Sequence, residues 1–347
     1  MNASSSDQSA TPSNPGAKSL AAVWASKYVK AIATSRSSQD LSQTSQTKVG
    51  VEGMGRSDVA NKILRHLNRA SALGWSLTEA LLADEIPRHG IAPELVDPWE
   101  ISAEVHRLYT QVFQAYADGE TPQRLSVLLG AEFGRVRQKY TTTDPRVIGF
   151  VSMQFHYTGQ QLLERLSTPE QGLVSPYLKV MDDLYMPLRD TYEAAATHDL
   201  DSPSLIAVQH LLPVSTAIAK SVCDLVIRFY PDYKTYSGSL RSPQVKTSSI
   251  RDVEMFQVYL CLCVLEDSIR SFQQQLFPLC VMLYPQLNVQ WELVQDMLKV
   301  LRWEMYDRLD SKAVQIFLPH LLALTEMFSP EVFQNSLPDV GRGLEKG

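Results

Sequence analysis

Apolar residues recur every three or four positions from residue 57 almost to the end of the chain, which is the periodicity of amphipathic α-helices. No run alternates apolar and polar residues as a half-buried strand would. We therefore predict an all-α fold, a multi-helix bundle with long, proline-kinked helices. The predicted helices span 57–72, 77–86, 98–117, 122–140, 145–166, 169–198, 203–229, 249–284, 290–309 and 311–328.

Candidate helix starts are marked by a capping residue followed by proline. Asp, Ser and Thr side chains accept hydrogen bonds from first-turn amides, and proline suits the next position because it has no amide hydrogen and its φ is already helical. Glu100 and Gln171 each follow such a residue by three positions, which predicts capping boxes. The pairs are Asp97-Pro98, Thr121-Pro122, Asp144-Pro145, Thr168-Pro169 and Ser202-Pro203.

Other prolines fall in apolar context inside the predicted long helices. Each removes a helix hydrogen bond and costs about 3 kcal/mol in a regular helix. The helices therefore curve around their own core, or they leave a concave groove or apolar cavity between them. These prolines are Pro187, Pro213, Pro278 and Pro319.

The two ends of the chain differ from its middle. Residues 1–56 are rich in Ser, Thr, Gln and Ala, which predicts a disordered tail and also resembles an organelle transit peptide. Within it, 18–33 has helical apolar spacing and predicts a short amphipathic helix that docks on its own domain, on a partner or on a membrane surface. The helical domain is predicted over 57–335, with a possible sub-boundary near 141–144, and 336–347 is a frayed C-terminus.

The connection over 231–248 is the longest in the predicted folded part. Loops beyond about 12–15 residues are uncommon in compact domains and are often functional. This one combines amphipathic aromatic residues with cations, which suits recognition of an acidic partner, although a merely flexible insertion is an equal alternative. The candidate partner-binding residues are Tyr233, Lys234, Tyr236, Arg241 and Lys246.

The formal net charge of −6 is unevenly distributed. Residues 1–150 carry 16 Lys and Arg against 15 Asp and Glu, whereas 151–347 carry 16 against 23. A protein that coats nucleic acid is usually basic overall, so nucleic-acid binding is the weaker interpretation. A local basic face on the N-terminal half stays possible, formed by Lys62, Arg65, Arg69, Arg124, Arg135 and Lys139.

The first three of these cations share one face of the helix predicted at 57–72. The segment 74–86 could form a second short helix, loosely like a helix-turn-helix. Solvated charge or an acidic protein partner are the other interpretations of the basic face.

Motifs of reaction chemistry are missing from the sequence. It has no Gly-rich phosphate loop, no nucleophile elbow and no His-Glu-x-x-His. We predict a protein that is not an enzyme, with no catalytic residues, no metal site and no cofactor. His210 and His320 lie in apolar helical stretches, where they are typical core residues or could ligate a tetrapyrrole.

The cysteines and the apolar runs bear on location. The cysteines at 223, 261, 263 and 280 lie in apolar helical segments, which is typical of core residues in a reducing compartment. No secretory signal is present, and the longest apolar run, 255–265, is too short to span a bilayer. We expect a soluble, cytoplasmic protein without integral membrane insertion.

The stretch 144–309 resembles an all-helical protein family of cyanobacteria. The most similar parts are Asp-Pro-Arg-Val-Ile-Gly-Phe-Val-Ser-Met-Gln-Phe-His-Tyr-Thr-Gly at 144–159 and Ser-Ser-Ile-Arg-Asp-Val-Glu-Met-Phe-Gln-Val-Tyr-Leu at 248–260. The resemblance contains no catalytic motif and implies no activity. It implies only a prokaryotic or plastid-related cytoplasmic setting.

These patterns together favour a non-enzymatic regulatory or scaffolding protein that acts through a protein partner. One alternative is a helical carrier or sensor for an apolar ligand or tetrapyrrole. Another is a nucleic-acid-binding regulator that uses the basic face.

Overall fold

The computed structural model describes residues 55–181, 184, 186–329 and 332 of the 347-residue chain. Within this part the protein is almost entirely helical, and its two short strands form one hairpin. The all-α prediction is therefore confirmed. The predicted tail 1–56, with its segment 18–33, lies outside the described part except for its last two residues, and the predicted frayed end 336–347 lies outside it entirely.

The described elements follow one another with short connections. Short 3₁₀ turns lie at Pro93–Leu95, Pro145–Val147 and Leu212–Val214, and a π-helical turn lies at Phe272–Leu276. The hairpin consists of β1 (Lys234–Thr235) and β2 (Gly238–Ser239). The α-helices are α1 (Arg56–Leu82), α2 (Glu85–His89), α3 (Pro98–Ala117), α4 (Pro122–Thr141), α5 (Ile148–Leu163), α6 (Thr168–Met181), α7 (Leu188–Ala195), α8 (Pro203–Leu211), α9 (Ser215–Phe229), α10 (Pro243–Leu265), α11 (Phe277–Gln286), α12 (Trp291–Arg308) and α13 (Ser311–Met327).

Helix α1 is one continuous element where the sequence analysis predicted two. Gly74, the first residue of the segment proposed as a second helix, lies within α1 and against α5, where a Cβ atom would come within 2.7 Å of Thr158 Oγ1. Glycine here permits the close approach of two helices rather than a chain reversal. The loose helix-turn-helix prediction for 74–86 is therefore wrong.

Two of the capping pairs cap α-helices as predicted. Asp97 accepts a hydrogen bond from the amide of Trp99 at 2.8 Å, and Thr121 accepts one from the amide of Arg124 at 3.2 Å. Asp144 also caps, but it starts the 3₁₀ turn that precedes α5. Ser202 makes no capping hydrogen bond, and its hydroxyl pairs with the His198 ring instead.

The two predicted capping boxes are not the ones that form. In α6 the box shifts by one residue, because the carboxylate of Glu170 accepts hydrogen bonds from both the amide and the hydroxyl of Ser167. Gln171 instead donates to the carbonyl of Leu163 at 3.0 Å. Glu100 pairs with Lys139 of α4, at 2.9 Å.

The prolines predicted as kinks lie at a helix start, at or beside local 3₁₀ and π-helical irregularities, and inside one regular α-helix. Pro187 precedes α7, Pro213 lies in the 3₁₀ turn between α8 and α9, and Pro278 lies in the first turn of α11. Pro319 sits inside α13. Proline has no amide hydrogen to donate, and its ring clashes with the preceding turn, so it is tolerated best in the first turn of a helix.

One continuous hydrophobic core runs through the described helices, from Val59 in α1 to Phe328 after α13. Helix α10 is its centre: residues 253–265 are all buried, and α7, α8, α9 and α13 pack around them. Helix α1 packs against α3 and α5. Residues before and after 141–144, where the sequence suggests a sub-boundary, both belong to this core.

A buried arginine joins α4 to the C-terminal helices. The guanidinium of Arg137 donates to Asp190 Oδ2 of α7 at 2.8 Å and to Tyr259 OH of α10 at 2.7 Å. It also donates to Gln275, which the π-helical turn presents to it. Burial disfavours the charge, but the partners Tyr259 and Asp190 hold the pKa of Arg137 above its ordinary value.

Among the described residues, Pro203–Phe229 is long and apolar enough to span a membrane by length and composition alone. It consists of α8, α9 and the 3₁₀ turn between them, and part of it is buried in the core. The core helices of water-soluble proteins meet the same criterion, so this run is weak evidence for a membrane span.

Candidate functional site

The predicted loop 231–248 is shorter than expected, because α10 begins six residues early. Ser242 caps the helix and accepts a hydrogen bond from the amide of Val245, and Pro243 occupies its first turn. This is the same serine–proline signal that marks other helix starts. Lys246 consequently lies in the first turn of α10, where it pairs with Asp224 of α9 at 2.5 Å. The interpretation of 231–248 as one long loop is therefore wrong.

The remaining segment forms a tight hairpin whose two turn residues are Tyr236 and Ser237. Thr235 pairs with Gly238 across the strands, and the Thr235 hydroxyl donates to the Gly238 carbonyl at 3.0 Å. Gly238 has a φ of +124°, a conformation that strongly favours glycine. Interactions between residues only three positions apart therefore close the hairpin.

The hairpin is anchored to the turn between α11 and α12. Tyr233 OH donates to the Asn288 carbonyl and accepts from the Gln290 amide, each at 2.8 Å. The side-chain amide of Asn288 donates to the Lys234 carbonyl at 2.6 Å. The amide of Tyr236 donates to the Leu287 carbonyl at 2.9 Å. These hydrogen bonds hold the backbone of the hairpin against the bundle.

Two tyrosines support the base of the hairpin. Tyr230 and Tyr233 meet edge to face with ring centroids 6.0 Å apart, and Tyr230 OH donates to Asp296 of α12 at 2.7 Å. Burial, reinforced by the neighbouring Asp296 carboxylate, raises the pKa of Tyr230 to about 12. Burial also raises the pKa of Tyr233. Both phenols therefore keep their protons, and their hydrogen bonds, throughout the neutral range.

The predicted partner-binding residues divide into two groups. Tyr233 and Lys246 are used within the molecule, as described above. Tyr236 is 61% exposed, and Lys234 and Arg241 are exposed as well. Within the part of the chain that the structure describes, neither cation has a carboxylate within ion-pair distance. We call Lys234, Tyr236 and Arg241 the hairpin face.

Three of the six cations in the predicted basic face are paired with acidic side chains. Lys62 pairs with the buried Glu170 at 2.9 Å, and Arg135 pairs with Glu132. Lys139 pairs with both Glu100 and Glu104, at 2.9 and 3.1 Å. The other predicted members are exposed: Arg65, which donates to its own helix, Arg69 and Arg124.

His210 and His320 were predicted as core residues or tetrapyrrole ligands, and the core interpretation is wrong for His210, whose side chain is half exposed. His210 pairs with Asp310 at 2.7 Å on the surface, and His320 lies 3.9 Å from Asp267. Over the residues described, no group of three or more His, Cys, Asp or Glu side chains is placed to hold a metal ion.

A cavity of about 90 Å³ lies beneath the hairpin, between α9, α10 and α12. Thr235 and Leu240 of the hairpin segment form part of its wall. The sequence raised an apolar cavity as an alternative to a self-packed core, but it gave no location. The hairpin thus has an outer face toward solvent and an inner face toward an apolar space.

Comparison with known proteins adds no relative: no family model matches this chain, and searches of curated proteins and of solved structures give no significant match.

Proposed function

We propose that this is a non-enzymatic regulatory or scaffolding protein that binds a protein partner through the hairpin face. The observation that carries the proposal is the combination of a fixed backbone and free side chains. Four hydrogen bonds join Tyr233, Lys234 and Tyr236 to the α11–α12 turn, while the hairpin face stays exposed.

This arrangement is physically suited to binding. A preformed segment loses little conformational entropy when it meets a partner, so more of the contact energy appears as affinity. Tyrosine and arginine are the side chains that most often dominate protein interfaces. Two cations without a carboxylate partner among the described residues favour an acidic partner surface, which also speeds the encounter.

A nucleic-acid-binding function is less well supported. Phosphate binding requires cations that are free to replace counterions. Lys62, Arg135 and Lys139 instead pair with carboxylates of the same molecule. Only the exposed remainder, Arg65, Arg69 and Arg124, would be available to phosphate groups.

A cytoplasmic location is part of the proposal. The four cysteines are buried and free, which suits a reducing compartment. Burial raises the pKa of the Cys223 and Cys263 thiols to about 12, so neither is a reactive thiolate near neutral pH.

The test is co-purification from a nuclease-treated extract of the cells that produce the protein. The variant Lys234→Ala, Tyr236→Ala, Arg241→Ala should lose a stoichiometric partner that the wild type retains. Its side chains are exposed, so its thermal unfolding should match the wild type. The matched control, Arg65→Ala with Arg69→Ala, removes two exposed cations from α1 and should keep the partner.

Retention of the partner by the hairpin-face variant, or its loss only in the α1 variant, would contradict the proposal. A partner that disappears from the wild type after nuclease treatment would also contradict it, and would favour the nucleic-acid alternative.

A further inference from the structure

The cavity beneath the hairpin is assembled from one face of each of three helices. Ser249, Asp252 and Phe256 of α10 line it at spacings of three and four, the spacing of a single helix face. Val226 on α9 and Val294 on α12 also line it. Most of the cavity is therefore built by helices, and Thr235 and Leu240 of the hairpin segment complete its wall together with Val289 of the α11–α12 turn.

The residues that line the cavity differ in exposure and in polarity. The partly exposed lining residues include three polar ones, Thr235, Ser249 and Asp252, and three apolar ones, Ile227, Val289 and Met297. The deeper ones, such as Phe256 and Val294, are buried and apolar. The cavity thus has a mouth of mixed polarity with one carboxylate, and a hydrophobic floor.

We propose that this cavity is a binding site for a small amphiphile, a short apolar chain that carries one hydrogen-bond donor, either a hydroxyl or an ammonium group. A cavity of about 90 Å³ is far below the roughly 300–1,000 Å³ of sites for drug-sized ligands. It has room for a body of about four or five heavy atoms.

The apolar body would occupy the floor, where it replaces solvent against Phe256, Val226 and Val294. The donor would lie at the mouth beside Asp252 and Ser249. Asp252 already has Arg251 at 3.6 Å, but a carboxylate offers about four acceptor sites and can take a further hydrogen bond. This inference does not rest on the proposed partner binding.

The experiment follows methyl NMR signals of valine and leucine during titration with 1-butanol, n-butylamine and butyrate, three probes with the same short chain. We expect saturable shifts at the methyl groups of Val226, Leu293 and Val294. Butylammonium should bind more tightly than butyrate, because the mouth carries a carboxylate. Asp252→Asn should reduce this preference by about fivefold while butanol binding persists.

Val294→Phe fills the cavity and should abolish the shifts. The matched control is Val127→Phe, which adds the same ring at a 63% exposed position on α4 and should bind like the wild type. If Val294→Phe does not fold, Ser249→Leu at the mouth serves as the blocking variant.

Shifts that never saturate, that survive the blocking variant, or that spread equally over exposed apolar residues would overturn the proposal. A preference for butyrate in the wild type would overturn the role of Asp252. Partner binding by the hairpin face can fail independently, because the titration contains no partner.

Discussion

Tyr233 donates a 2.8 Å hydrogen bond to the carbonyl oxygen of Asn288, a residue 55 positions further along the chain. Asn288 returns a bond from its side-chain amide to the backbone of Lys234. It can do so because its backbone is left-handed, with φ of +53°, a conformation that asparagine tolerates better than most residues. This reciprocal contact fixes the hairpin to the bundle.

We expect Tyr233→Phe to loosen the hairpin without unfolding the protein. The substitution keeps the ring but removes the donor to Asn288 and the acceptor for the Gln290 amide. A hydrogen bond of this kind contributes about 0.5–1.5 kcal/mol. Amide hydrogen exchange should accelerate over 234–240, while the buried centre of α10 keeps its protection.

Tyr236→Phe is the control for this prediction, because it removes a phenolic hydroxyl from the exposed hairpin face. It should leave exchange over 234–240 unchanged. Equal exchange in the wild type and Tyr233→Phe would contradict the anchoring role of Tyr233.

The buried Arg137 should be among the most sensitive polar positions. Its side chain is 6% exposed, and Arg137→Met would leave the Asp190 carboxylate and the Tyr259 hydroxyl without their donor. Breaking a buried ion pair typically lowers the free energy of unfolding by about 3–5 kcal/mol. Because Asp190 is partly exposed, we expect a loss of about 3 kcal/mol for this variant.

Urea unfolding measures this loss directly. Arg189→Ala, which removes the exposed neighbour that pairs with Glu193, should unfold at the wild-type midpoint. A wild-type midpoint for Arg137→Met would show that the buried network contributes nothing to stability.

The pH dependence of stability should contain a contribution from His156. Burial, assisted by the charge of Arg251, lowers the pKa of His156 to about 4 from an ordinary value of 6.5. Between these values the unfolded chain binds more protons than the folded protein, so stability falls as the pH falls from about 6.5 to 4. The contribution is roughly 1–3 kcal/mol.

His156→Gln should reduce this slope. The comparison is the difference in unfolding free energy between about pH 7 and about pH 4.5, for the variant and the wild type. His106→Gln, at an exposed position on α3, should retain the wild-type slope. An unchanged slope in His156→Gln would assign the acid sensitivity to other groups.

Two glycines in different surroundings test how closely the helices pack. Gly74→Ala would place its Cβ 3.0 Å from the backbone amide nitrogen of Thr158, so α1 and α5 must separate, at a cost of about 1–3 kcal/mol. Gly130→Ala meets nothing within 4 Å and should stabilise α4 by up to about 1 kcal/mol. Thermal unfolding should therefore shift in opposite directions for the two variants.

Local sequence patterns predicted much of this fold because capping is a short-range interaction. Asp97 and Thr121 bind amides two or three residues away, so their role is visible in the sequence. Ser242-Pro243 carries the same signal and marks the start of α10. The polar residues around it led instead to the prediction of a loop.

The rest depends on distant partners that no local pattern contains. Lys62 and Glu170 are 108 positions apart, so the sequence showed a cation but not the carboxylate that pairs with it. The split of the predicted hairpin residues has the same origin: Tyr233 meets Asn288, and Lys246 meets Asp224, only in the folded bundle. Tyr236 has no such side-chain partner among the described residues, and it is exposed, as a binding residue in a loop would be.

The most direct test of the hairpin face is photo-crosslinking from position 236 in the native cells. A photoreactive phenylalanine analogue would replace Tyr236, and a matched protein would carry it in place of Trp303, which is 58% exposed on α12. The account predicts one protein adduct from position 236 that an excess of the wild-type protein competes away, and no such adduct from position 303. The absence of a competed adduct at 236, or the same adduct from both positions, would contradict it.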